Sequence, residues 1–168
     1  MALIAEEIVQ EWLNRKGYFT IRGIKLGNHE IDILAVKANG QKLDCRHVEV
    51  QVSHNPIAYI TDSKPTKKSA AELAASVTKW IEKKFSLPDK ASMRKKLAPG
   101  EWTRELVYNQ VSHNEELDEL QRQGITLHKF AEVVSSMRSP NNIVHKAVGA
   151  DLLDLFLFAT PDDEEARK

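Results

Sequence analysis

Residues 29–53 read His29-Glu30-Ile31-Asp32-Ile33-Leu34-Ala35-Val36, then Lys37-Ala38-Asn39-Gly40-Gln41-Lys42, then Leu43-Asp44-Cys45-Arg46-His47-Val48-Glu49-Val50-Gln51-Val52-Ser53. The outer runs are rich in β-branched residues, and Asn39-Gly40 between them is a strong turn signal. The stretch therefore predicts a β-hairpin of strands 29–36 and 43–53. Side chains alternate along a strand, so Glu30, Asp32 and Leu34 share one face of the first. In the second, His47, Glu49, Gln51 and Ser53 share one face, and Val48, Val50 and Val52 the other. The hairpin can bring Asp32 next to Glu49, with Gln51 beside it. Two carboxylates held close repel unless a cation lies between them or one takes a proton. Hard oxygen ligands of this kind suit Mg²⁺ or Mn²⁺. The same alternation also belongs to a hairpin with one wet face, on which both carboxylates are simply solvated.

Upstream, Leu3, Ile4, Ile8, Val9, Trp12 and Leu13 recur at helical spacing, which predicts a helix over 3–16 closed by Gly17. Glu6 on this helix can reach the same end of the sheet as Asp32 and Glu49. A short strand over 18–24 follows. Downstream, Pro56 and Pro65 bracket a loop, and Ala70, Leu73, Ala74, Val77, Trp80, Ile81 and Phe85 mark a helix over about 66–85. Residues 86–100, with Pro88, Pro99 and Gly100, read as a basic loop with room for one helical turn. A strand over 104–111, a short helix from Asn114 to Gly124 and a strand over 125–130 form a βαβ signature of parallel pairing. Residues 143–159 are apolar enough for a C-terminal helix. The expected class is α/β: one domain over 1–160, a mixed central sheet flanked by helices, and an acidic, frayed tail over 161–168.

Composition narrows the function. The 168 residues hold 42% apolar and 29% charged side chains, a globular mix. The single cysteine, Cys45, excludes an internal disulfide and a Cys-rich zinc site. Glu6, Glu7 and Glu11 stand where a signal peptide would carry an apolar core, and no run is long enough to span a membrane, so a cytoplasmic protein is expected. The sequence holds no HExxH helix, glycine-rich phosphate loop or GxSxG elbow. Net charge is zero, yet residues 64–96 carry ten Lys and Arg against three Asp and Glu. Such a block is either the footprint of a polyanion or a solvated helix face.

A resemblance bears on these readings. The run Glu6-Glu7-Ile8-Val9-Gln10-Glu11-Trp12-Leu13-Asn14-Arg15-Lys16-Gly17-Tyr18 resembles the opening helix of small endonucleases of the PD-(D/E)xK superfamily. That superfamily includes many restriction enzymes and archaeal Holliday-junction resolvases. Gly27-Asn28-His29-Glu30-Ile31-Asp32-Ile33 resembles its glycine-x-x-glutamate-hydrophobic-aspartate strand, and His47-Val48-Glu49-Val50-Gln51-Val52 its glutamate-x-lysine strand. The element order matches its αβββαβ core to about residue 130. The resemblance implies a divalent-metal-dependent endonuclease that hydrolyses DNA phosphodiester bonds, often as a homodimer.

By the same resemblance, Asp32, Glu49 and the Val50 carbonyl would hold Mg²⁺ or Mn²⁺, and Glu6 would act on that ion directly or through water. Gln51 stands where the family usually has lysine; it can hydrogen-bond a water but supplies no positive charge. Functional lysines migrate in this superfamily, so Lys64, Lys67 or Lys68 is expected to replace it and to touch nucleic acid. The alternative implied by Gln51 is a catalytically weakened module that grips nucleic acid or a partner protein. Glu7 should face away from the site around the helix. Glu30 is a lesser ligand candidate, and His47 a possible partner of Glu49.

Overall fold

The computed structural model describes residues 2–53, 55, 57–61 and 67–144. The expected tail, Lys64 and the expected C-terminal helix beyond Val144 lie outside them. Elements run α1 (Ala2–Arg15), β1 (Phe19–Leu26), β2 (His29–Asn39), β3 (Lys42–Gln51), α2 (Ala70–Ile81), a π turn (Glu82–Ser86), α3 (Pro88–Leu97), β4 (Trp102–Tyr108), α4 (Asn114–Arg122), β5 (Thr126–Lys129) and α5 (Phe130–Ser136). The five strands lie in chain order, β1-β2-β3-β4-β5. The first two pairings are antiparallel and the last two parallel. This is the expected α/β class with a mixed sheet flanked by helices. Among the described residues, no helix is long and apolar enough to cross a membrane.

Both hairpins turn on two residues. Leu26 pairs with His29 and Asn39 with Lys42, so the tips are Gly27-Asn28 and Gly40-Gln41. Gly27 and Gly40 have φ of 60° and 61°. A positive φ at the first tip residue is the type II′ turn, whose twist suits antiparallel strands and which only glycine enters cheaply. The second turn thus centres one residue later than Asn39-Gly40.

The two sheet faces bury different helices. Ile33, Ala35, Val48, Val50 and Val107 pack against Val9, Trp12 and Leu13 of α1 and Val133 of α5. Leu106, on the other face, joins Val77, Trp80, Ile81 and Phe85 with Leu120 of α4. The helical spacing read from the sequence is the spacing these faces use from Ile8 and Leu73 onward, whereas Ile4 and Ala70, expected on the same stripes, are exposed. A capping box starts α2: Ser69 Oγ accepts from Glu72 N while Glu72 Oε2 accepts from Ser69 N.

Two departures from expectation matter for the site. The helix expected over 66–85 ends its α winding at Ile81 and widens into the π turn, where Phe85 is fully buried. The stretch expected to be a basic loop is instead the ten-residue α3. Pro88 starts it, Asp89 lies in its first turn, and Arg94, Lys95 and Lys96 crowd its last turn, all of which complement the helix dipole. It has no apolar stripe, and its buried residue is Lys90. Periodicity cannot detect a helix that packs through a lysine.

Candidate active site

The β2–β3 ladder closes with the pair Ile33–Val48. One step further, the Asp32 carboxylate enters the ladder itself: Val50 N donates to Asp32 Oδ2 at 2.8 Å. Continued one step, this register sets Asp32 opposite Glu49, on the face that alternation gives them both, whereas a turn centred on Asn39-Gly40 would have set it opposite His47. Burial, and then the charge of Glu49, push the Asp32 carboxyl up to about 6. The Lys84 ammonium and the Val50 N–H pull the other way without winning.

Glu6 is buried on α1, which packs on the other sheet face, and it feels the charges of Asp32 and Glu49 without a contact to either among those given. Its carboxyl is raised above the ordinary glutamate value, chiefly by burial and then by Asp32 and Glu30, with Arg22 opposing. Glu6, Asp32 and Glu49 therefore share one electrostatic field, with exposed Glu30 at its edge. Glu7 faces solvent and pairs with Arg22 at 3.0 Å, in line with its place around the helix. Among the described residues, no three His, Cys, Asp or Glu side chains form a metal-holding group.

Glu49 is 1% exposed and almost fully occupied. Lys84 Nζ, from the π turn, donates to Glu49 Oε2 at 2.6 Å. On Oε1 lie His47 Nε2 at 3.1 Å and Lys90 Nζ at 3.4 Å. Lys90 also donates to the Lys84 carbonyl at 2.9 Å, and Arg94 Nη1 to the Phe85 carbonyl at 2.7 Å. Two cations of α3 thus satisfy carbonyls at the end of the π turn while reaching the β3 side chains. Arg94 Nη1 lies 2.8 Å from His47 Nδ1. A guanidinium can only donate, so Nδ1 accepts and the proton sits on Nε2, aimed at Glu49. Burial, reinforced by Arg94 and Lys90, holds His47 well below its ordinary pKa, so it donates as a neutral ring.

Lys84 is the residue that sequence reasoning missed. Burial alone would lower its pKa, but Glu49, Asp32 and Glu30 together outweigh that and hold the ammonium above its ordinary value. It is a fixed positive charge facing the acidic group. No local signal separates Lys84 from exposed Lys83; only the wider π winding beside buried Phe85 aims one of them at Glu49. Of the expected replacements, Lys64 lies outside the described residues, Lys67 is exposed, and Lys68 Nζ donates to Ser76 at 2.9 Å and sits 4.7 Å from the Tyr59 ring centroid. Gln51 is half-buried at the end of β3, on the Glu49 face, and pairs with Tyr108 of β4.

No family model matches the chain, and no curated protein matches it. Among solved structures, it is similar to one titled "Crystal Structure of Protein of Unknown Function AF1548", with a TM-score of 0.47 and 16% identity. That match covers 92% of this chain and 76% of that chain, and a likeness this distant carries no argument about function.

Proposed function

We propose that this protein is a divalent-metal-dependent endonuclease acting on DNA phosphodiester bonds, with Asp32, Glu49 and Lys84 at its centre. The observation that carries the reading is half-buried Asp32 set beside buried Glu49, with Lys84 Nζ 2.6 Å from Glu49. Two desolvated carboxylates side by side store repulsion that a cation would relieve. The donor set fits the cation: Mg²⁺ and Mn²⁺ take oxygen ligands and need only one or two carboxylates, because water and substrate fill the rest. Asp32, Glu49 and the Val50 carbonyl would hold it, with Glu6 nearby.

When bound, such an ion acidifies water and offsets charge on the phosphate. The chain's own side chains do the rest. The Lys84 ammonium provides the positive charge that Gln51 lacks, and adds charge compensation for a developing oxyanion. Gln51 hydrogen-bonds the attacking water without changing its charge. The neutral His47 ring holds Glu49 in one orientation, and Arg94 fixes the tautomer that lets it. Exposed Lys83, Lys95 and Lys96 lie in the same basic block and offer contacts to phosphate.

The test is cleavage of supercoiled and branched DNA with Mg²⁺ or Mn²⁺. Wild type is expected to cut, and Asp32→Ala to lose at least about a hundredfold in rate. Equal cutting by the two proteins, or none by wild type with either ion, overturns the reading. Lys84→Met, which keeps the aliphatic stem, is expected to cut about 10- to 100-fold more slowly, while Lys67→Ala stays within about twofold. A second reading draws on the crowding of Glu49 by Lys84, Lys90 and His47. If those partners do not yield, the protein is a nuclease-like module that binds DNA without cutting it.

A further inference from the structure

A cavity of about 280 Å³ opens where the parallel strands β4 and β5 end. Its walls include Tyr108, Asn109, Gln110, Asn114, Leu117 and Lys129. In open sheets built from parallel strands, ligands bind outside the carboxyl ends of those strands, because the helices start there and leave a crevice. Tyr108 pairs with Gln51, two residues past Glu49, so the cavity begins about 5 Å from Gln51 across the sheet and roughly 8 Å from Glu49. Lys129 is the last residue of β5, and Asn114 the first of α4.

The chemistry of the walls is specific. Tyr108 and Leu117 pack on the core at their inner sides and give the cavity an aromatic and aliphatic floor. Asn109 is held in place because its Nδ2 donates to the Ser53 carbonyl at 3.2 Å. Three side-chain amides around an aromatic floor provide donors and acceptors at the edge of a flat, polar ring. The Lys129 ammonium adds a cation at the rim. A paired base inside a duplex cannot enter a space of this size with its Watson–Crick edge free; an unpaired one can.

We propose that this cavity receives one unpaired nucleobase of the DNA, beside the phosphate held at the Asp32–Glu49 group, so that the protein selects DNA with a displaced or unpaired nucleotide over a continuous duplex. The inference rests on the nuclease reading for the position of the phosphate, but the cavity itself is tested by binding alone. Tyr108 and Leu117 receive the ring, the amides of Asn109, Gln110 and Asn114 meet its edge, and Lys129 meets the backbone next to it.

The experiment measures affinity of the full chain, in EDTA, for three fluorescent DNAs of one sequence: a perfect duplex, the duplex with one bulged nucleotide, and the same bulge carrying an abasic residue. Wild type is expected to bind the bulged DNA at least about tenfold more tightly than the other two, a factor ordinary for one base stacked and hydrogen-bonded. Gln110→Ala/Asn114→Ala, two exposed positions assigned only to the base edge, is expected to lose that preference while keeping duplex affinity within about twofold. Equal binding of all three DNAs by wild type overturns the proposal, as does a preference that survives the double variant or extends to the abasic bulge. Selective binding without cleavage under Mg²⁺ or Mn²⁺ would sink the nuclease reading and leave the cavity standing. Cleavage without selective binding would do the reverse.

Discussion

Glu49→Ala is expected to cost about 3–5 kcal/mol of folding stability, the range for removing one partner of a buried ion pair. Lys90 is 2% exposed, and its ammonium meets only Glu49 Oε1 and the Lys84 carbonyl among the contacts described above. Without the carboxylate, a charge stays in the interior with one carbonyl to receive it. The loss should appear in urea or thermal unfolding as a fall in Tm of roughly 10 °C or more for a chain of this size. The companion Glu49→Leu/Lys90→Met removes both charges and is expected to regain most of the loss, because a pair replaced by apolar groups costs far less than a pair broken. If Glu49→Ala unfolds within about 1 kcal/mol of wild type, Glu49 and Lys90 do not depend on each other as described.

Asp32→Asn is expected to work in the opposite direction, and in a pH-dependent way. The folded protein lifts the Asp32 carboxyl from its ordinary value of 3.8 to about 6. A carboxyl raised on folding binds its proton more tightly when folded, so it stabilises the fold at low pH. That contribution is lost as pH climbs from about 4 through 6. Above about pH 6.5 the folded state carries the whole penalty, of order 1–3 kcal/mol. Asparagine keeps an oxygen for the Val50 N–H and carries no charge. It should therefore be more stable than wild type at about pH 8, by roughly 3–8 °C in Tm, with the gain shrinking toward zero near pH 4. A gain that does not change with pH would show that packing, not the second carboxylate, sets the difference. The same substitution is expected to abolish metal-dependent cleavage, so stability and chemistry pull apart at this residue, as they do where a site is held under repulsion for use.

Much of this arrangement is local and could be read from the chain. The helical spacing from Ile8 to Leu13, the alternation around Asp32 and Glu49, and the strand-helix-strand run from residue 104 each involve residues close in sequence, where backbone geometry fixes which side chains share a face. Lys84, Lys90 and Arg94 were not legible in that way. They arrive at β3 from 35 to 47 residues downstream. Within a block of ten Lys and Arg, they differ from their neighbours only in the direction the backbone aims them. The π turn sets that direction, and α3 forms without an apolar stripe because its inward residue is a lysine held by the buried Glu49 carboxylate and the Lys84 carbonyl.

The sequence by itself therefore determined the strands, their apolar faces and the one face that Asp32 and Glu49 share, since alternation leaves those side chains no other side to occupy. The turn at Gly40-Gln41, one residue later than the sequence signal, set Asp32 opposite Glu49 rather than His47. Only the tertiary structure decided which cation faces them and which ring orients them. Those choices depend on how one helix widens its winding and where the next one lies across the sheet, and distance through space, unlike distance along the chain, leaves no period to read.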